Sequence, residues 1–170
     1  GRFIALPYIK SKNTGNITVD NDIYTDLAWN YLSQGQFLWL KGTMNGLGAE
    51  AKQKVFLRNT FLYFDDSGKL NVNIETKPKG WNTDDKLKKA SSLLHKLKVQ
   101  LGKSGVFLFR DMFTLSQMAL RQTPVLSDSI SNRFPLVLID EMQDTQLHQD
   151  RVLLEAFSSK KHQAITQRFG

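Results

Sequence analysis

Hydrophobic and polar positions alternate in recognisable periods along most of the chain. Residues 1–12 mix apolar and basic side chains, with Pro7 interrupting any long helix, and the turn-rich stretch 11–19 follows. Asp20 or Asn21 is placed to cap a helix over about 22–33, whose apolar face would be Ile23, Leu27, Tyr31, Ala28 and Leu32. Residues 34–50 place four glycines around Phe37-Leu38-Trp39-Leu40 and fit neither period. Residues 55–63 are β-prone, Asp65-Asp66-Ser67-Gly68 forms a turn, and Leu70, Val72 and Ile74 alternate with polar residues. The pattern predicts a β-hairpin over about 55–75, ended by Pro78 and Gly80.

Helical periodicity dominates the next stretch. Asn82 or Thr83 would cap a helix over about 83–101, with Asp84 and Asp85 complementing the helix dipole in its first turn. Leu87, Ala90, Leu94, Leu97 and Leu101 recur at spacings of three and four, one apolar seam, and the lysines mostly occupy the other faces. After the short run Val106 to Phe109, a helix over about 110–122 presents Met112, Leu115, Met118 and Ala119. Pro124 stops it, and a brief helix over 126–133 follows. Leu136-Val137-Leu138-Ile139 is a continuous apolar run, the pattern of a parallel strand buried on both faces. A helix over about 146–157 would bury Leu147, Leu154 and Phe157, and 163–168 reads as the next strand.

Charge changes the picture, because it is uneven. The 170 residues carry a net charge of +7, and all of it lies in residues 1–105, with 16 Lys/Arg against 9 Asp/Glu; residues 106–170 hold 7 of each. The segment 77–103 alone has eight lysines against two aspartates. Such a stripe attracts polyanions through counterion release, or serves only as a solvated face. Among the tryptophans, Trp81 adjoins the lysines and is the candidate for stacking on a base, while Trp29 and Trp39 are expected in the core. Cysteine is absent, which excludes disulfides, thiol nucleophiles and cysteine-held zinc, and the three scattered histidines argue against a histidine-rich metal site. No apolar run approaches the roughly 20 residues of a membrane helix. The start carries no initiator Met, signal peptide or basic targeting prefix.

One motif carries chemistry. The run 136–139 ends in Asp140-Glu141, two adjacent carboxylates at the carboxyl end of an expected parallel strand, where open α/β sheets bind ligands. In nucleotide hydrolases the first acid of such a pair holds Mg²⁺ and the second activates the attacking water; the alternative is a turn with two solvated acids. The longer run Val137-Leu138-Ile139-Asp140-Glu141-Met142-Gln143-Asp144-Thr145, followed by Gln149, resembles motif II of the UvrD/Rep family of superfamily 1 DNA helicases. Upstream, Phe109-Arg110-Asp111-Met112, Leu115 to Leu120, Pro124 and Asn132-Arg133-Phe134 resemble that family's lead-in. Downstream, Ala164 to Gly170 resembles the strand into motif III, whose first residue is a glycine. The resemblance covers about 106–170.

What the resemblance implies is part of an ATP-dependent helicase or translocase moving along single-stranded DNA, with Mg²⁺ and ATP as cofactors. Asp140 would hold the metal and Glu141 would be the general base. Gln143, Asp144 and Gly170 would couple the nucleotide site to neighbouring motifs, with Gln149 structural and Thr145 a helix cap. The expected fold is α/β. Residues 106–170 would be part of a RecA-like P-loop NTPase domain, and residues 1–105 a basic, mainly helical insertion with a β-hairpin. Lys86, Lys88, Lys89, Lys96, Lys98 and Trp81 are the candidate DNA contacts. The chain contains no G-x-x-x-x-G-K-[ST] phosphate loop. It therefore reads as an internal slice, inactive alone, that works with the rest of a helicase chain in the bacterial cytoplasm or nucleoid, with a nuclease or repair protein as a further partner. The other classes in play are a non-catalytic nucleic-acid-binding module and a metal-dependent nuclease built on Asp140, Glu141 and Asp144.

Overall fold

The computed structural model describes residues 2–12, 15–140, 147–159, 161–162 and 164–169. The chain divides into two compact units, Asn13–Asp111 and Gly1–Lys12 with Met112–Gly170. The division expected after residue 105 thus falls after Asp111, and the first twelve residues join the later segment.

In the Asn13–Asp111 unit, β1 (Thr18–Val19) leads into α2 (Asn21–Tyr31); the Asp20 carboxylate caps this helix by accepting from the backbone N–H groups of Asp22 and Ile23. The buried residues of α2 are Tyr24, Thr25 and Ala28, joined by Leu32 just beyond it. Ile23, expected in the core, is exposed, because the inward stripe is 24–28–32, one residue out of phase with 23–27–31. Residues 34–50, which fit neither period, form a short 3₁₀ turn, α3 (Leu38–Met44) and a second 3₁₀ turn at Asn45–Leu47.

The hairpin is shorter than expected. Residues 55–59 belong to α4 (Glu50–Asn59), which buries Gln53, Phe56 and Leu57 on one helical face. Only β2 (Phe61–Phe64) and β3 (Leu70–Asn73) pair, antiparallel, with Phe61 opposite Asn73 and Phe64 opposite Leu70. The β-prone Val55 and Phe56 are overridden by the helix that starts at Glu50.

The long helix α5 (Asp84–Lys103) buries Ala90, Leu94, Leu97 and Leu101, as its seam predicted. Thr83 occupies the capping position, but its side chain makes no capping bond. After α5 the chain turns at Gly105, with φ +77°, so that β4 (Val106–Phe107) pairs in parallel with β1. A Cβ on Gly105 would lie 2.1 Å from the Asn16 carbonyl oxygen, and the Gly105 carbonyl accepts from Thr18 N at 2.8 Å. Glycine alone satisfies both demands.

In the other unit, α1 (Arg2–Lys12) is helical although it contains Pro7. Burial of Ala5 and Ile9 offsets the one backbone bond proline cannot make. Helix α6 (Asp111–Gln122) is followed directly by α7 (Pro124–Arg133), with Pro124 opening the second helix as it closes the first. Then come β5 (Leu136–Ile139), α8 (Leu147–Ala156) and β6 (Ile165–Arg168). Leu120, Val152 and Ala156 form a small core flanked by Ile4, Phe113, Leu126, Ile130 and Phe157. Leu154, expected inside, is exposed.

β5 and β6 pair in parallel, Leu136 with Ile165 through Ile139 with Arg168, as the sequence pattern required. The expectation that β5 is buried on both faces fails. Leu136 is 57% and Leu138 60% exposed, and every residue of β6 is exposed. A strand is buried only where layers cover both faces, and among the described residues nothing covers the face of Leu136 and Leu138.

Candidate functional site

Asp140 is the first residue beyond β5 and is exposed at that strand's carboxyl end. The ladder with β6 runs up to it, since Phe169 N, one residue beyond β6, donates at 2.9 Å to the carbonyl of Ile139, the residue before Asp140. Two residues that the sequence pattern did not single out stand at this end of the unit. Arg168 closes β6, and its guanidinium lies 2.8 Å from the Asp150 carboxylate on α8, tying the connecting helix to the strand it feeds. Glu141, Gln143, Asp144, Thr145 and Gly170 lie outside the described residues.

The basic segment divides sharply by helical phase. Lys86, Lys88, Lys89 and Lys96 are exposed. At 3.6 residues per turn, Lys88, Lys89, Lys96 and Lys103 share the face opposite the apolar seam. Among the described residues none of the four is in an ion pair within the Asn13–Asp111 unit, whose pairs involve Lys54, Arg58, Lys98 and Arg110.

Lys98 is not part of that face. Its side chain is 4% exposed, and Nζ donates to Asp111 Oδ2 at 2.7 Å and to the Tyr24 hydroxyl at 3.1 Å. The other Asp111 oxygen accepts from the backbone N–H of Leu62 at 2.7 Å. Burial alone would lower the Lys98 pKa, but Asp111 and Tyr24 outweigh it, and the net shift is upward from 10.5. Burial also raises Tyr24 above 10.0, against the opposing pull of Lys98. This network joins α2, α5 and the hairpin through one carboxylate, so Lys98 is a structural cation and cannot reach DNA.

Trp81 is likewise misplaced as a stacking residue. It is 2% exposed, and its ring meets Phe56 edge-on with centroids 5.6 Å apart. The tryptophans expected in the core are the half-buried ones. Trp29 carries Lys41 Nζ 5.0 Å from its ring centroid, and Trp39 carries Lys89 Nζ at 4.4 Å.

Arg110 and Asp111, read from the sequence only as part of a lead-in, clamp the base of the hairpin. The Arg110 guanidinium lies 3.8 Å from the Phe61 ring centroid and 3.2 Å from Glu75, while Asp111 holds Leu62.

No helix of the described residues is long and apolar enough to cross a membrane. The sequence matches the family described as UvrD/REP helicase N-terminal domain over residues 14–166. No curated protein and no solved structure gives a significant match.

Proposed function

Because this chain belongs to the UvrD/REP helicase N-terminal domain family, we propose that it supplies two parts of an ATP-dependent DNA translocase. One is the metal- and water-handling segment after β5. The other is a basic subdomain that contacts the single strand on which the enzyme moves.

The observation that carries this reading is the position of Asp140, an exposed carboxylate at the end of a strand whose parallel neighbour is reached through a helix. Carboxyl ends of parallel strands are where α/β sheets bind nucleotides. An exposed carboxylate followed in sequence by a second acid suits Mg²⁺, which takes one or two carboxylates and completes its shell with phosphate oxygens and water. Bound Mg-ATP supplies the phosphoanhydride bond whose cleavage drives stepping. Asp140 holds the metal, and Glu141, the next residue, accepts the proton of the attacking water. Gln143, Asp144 and Gly170 relay the state of the site to neighbouring segments. The sequence has no G-x-x-x-x-G-K-[ST] loop: its G-K-S run, Gly102-Lys103-Ser104, ends α5 and has Leu97 where the first glycine would stand, so the phosphate cradle belongs to another part of the enzyme and the chain alone does not turn over ATP.

The test is DNA-stimulated ATP hydrolysis by the intact protein. Glu141→Gln should lower the rate on the order of 10²–10⁴-fold while leaving nucleotide binding in place. Asp140→Ala should weaken Mg²⁺-dependent binding as well. A wild-type rate in Glu141→Gln refutes the assignment of the base. Mn²⁺-dependent DNA cutting without ATP would instead mark a nuclease.

A further inference from the structure

We propose that Trp39, with Lys89 as its displaceable cover, is a base-stacking contact for single-stranded DNA at the edge of the α5 lysine face. The inference rests on the DNA-translocase reading and deepens it by naming where an unpaired base is held.

Trp39 packs against the core of the Asn13–Asp111 unit and is only half-buried, with the Lys89 ammonium 4.4 Å from its ring centroid. Lys89 lies on the face that carries Lys88 and Lys96. Gly46 follows Trp39 by seven residues, about two turns further along, and lies hard against a second basic segment. A Cβ there would come 2.8 Å from the Lys79 carbonyl oxygen. The backbone of a second basic segment, at Lys79, is thus held beside the 3₁₀ turn that follows the helix of Trp39, while Lys89 alone is placed over the ring.

The chemistry of the pair follows from its parts. An exposed ammonium over an indole gains less than a base stacked on the same ring. An incoming base displaces Lys89, and the released ammonium meets the adjoining phosphate, so one exchange yields a stack and a charge contact. Bases in a duplex are already stacked and do not compete, which makes the contact selective for single strands. The other tryptophans lack this arrangement. Trp81 is buried, and the lysine over Trp29, Lys41, is tethered by donating to Ser33 Oγ at 2.8 Å.

The experiment is a tryptophan-fluorescence titration of the 170-residue chain with an oligothymidylate strand at several salt concentrations, with inorganic polyphosphate as the purely electrostatic control. The strand should quench and polyphosphate should not. Trp39→Phe should remove most of the quench, and Trp39→Ala should weaken binding roughly 5- to 100-fold. Lys89→Ala should keep the quench and lower the salt slope by about one unit. Trp39→Phe and the wild-type comparison decide the matter if the alanine variant does not fold. Equal quenching by polyphosphate overturns the proposal, as does a quench that disappears in Trp29→Phe but persists in Trp39→Phe. If oligothymidylate binds and Lys88→Ala with Lys96→Ala weakens it, while both Trp39 variants bind like wild type, the stacking contact alone falls. If the strand does not bind at all, the DNA-contacting role of the subdomain falls with it.

Discussion

Lys98→Met isolates the energetics of the buried pair, because methionine keeps most of the side-chain volume and removes the charge. Lys98 and Asp111 are each 4% exposed and 2.7 Å apart. At an effective dielectric constant of about 20 their attraction is about 6 kcal/mol, but desolvating each ion costs several kcal/mol, so the intact pair is worth far less than that. Removing one partner is a different matter. Asp111 would remain buried with its charge unpaired, the Leu62 N–H still donating to it, and such an orphaned charge costs about 3–5 kcal/mol, a large share of the roughly 5–15 kcal/mol that holds a domain folded. Urea unfolding followed by tryptophan fluorescence should show the midpoint falling by on the order of 2 M, given a slope of about 1–3 kcal/mol per molar. Asp111→Asn in the same chain removes the orphaned charge while keeping an acceptor for Leu62, so the double variant should be less damaged than the sum of the two single variants. In the wild type the pKa values of Lys98 and Tyr24 are raised from 10.5 and 10.0. Their contribution is complete below about pH 10 and is lost as the pH climbs through the higher folded-state values. If Lys98→Met unfolds within about 0.5 kcal/mol of wild type at neutral pH, the pair does not carry the network described here.

Trp81→Ala removes a core ring and should destabilise by about 3–5 kcal/mol; any folded population should bind DNA as wild type does, measured by unfolding and by a binding isotherm. Replacing Lys88, Lys89 and Lys96 together by Ala should leave the unfolding midpoint nearly unchanged, weaken binding to every DNA sequence alike and lower the salt slope by about one unit for each phosphate no longer neutralised. Gly105→Ala should destabilise by more than the ~1 kcal/mol typical of a glycine replacement, because both φ and the Asn16 carbonyl oppose a Cβ; calorimetry of the two proteins measures it.

The elements that were legible in the sequence are those whose signal is local. The α5 seam repeats over four turns and is preceded by acids in the first turn, and the parallel pairing of β5 with β6 follows from an apolar run, a helix and a second strand. The errors arise where a neighbour distant in sequence decides. Val55 to Asn59 are β-prone one by one, but Glu50 starts a helix whose Phe56 meets Trp81, a contact across 25 positions. Leu136 and Leu138 report a strand's demand for cover, and the apolar run cannot say whether a covering layer is present among the residues that surround it.

Lys96 and Lys98 show the same division at the level of single side chains. Composition treats them alike, as two charges in a basic stripe. Helical phase separates them: Lys98 follows Leu94 by four residues and precedes Leu101 by three, so it flanks the seam, while Lys96 points away. Periodicity by itself therefore argues against Lys98 as a DNA contact. What the sequence withholds is the reason a lysine is tolerated there. Asp111 lies 13 positions on and Tyr24 lies 74 positions back, and only the folded chain brings a carboxylate and a hydroxyl to one ammonium. The same asymmetry governs the tryptophans. Trp81 adjoins the lysines in sequence yet is sealed beside Phe56, whereas Trp39, fifty positions before Lys89, shares its surface. Proximity along the chain is therefore a poor guide to which aromatic ring a basic helix presents, and the phase of each residue on its own helix is the better one.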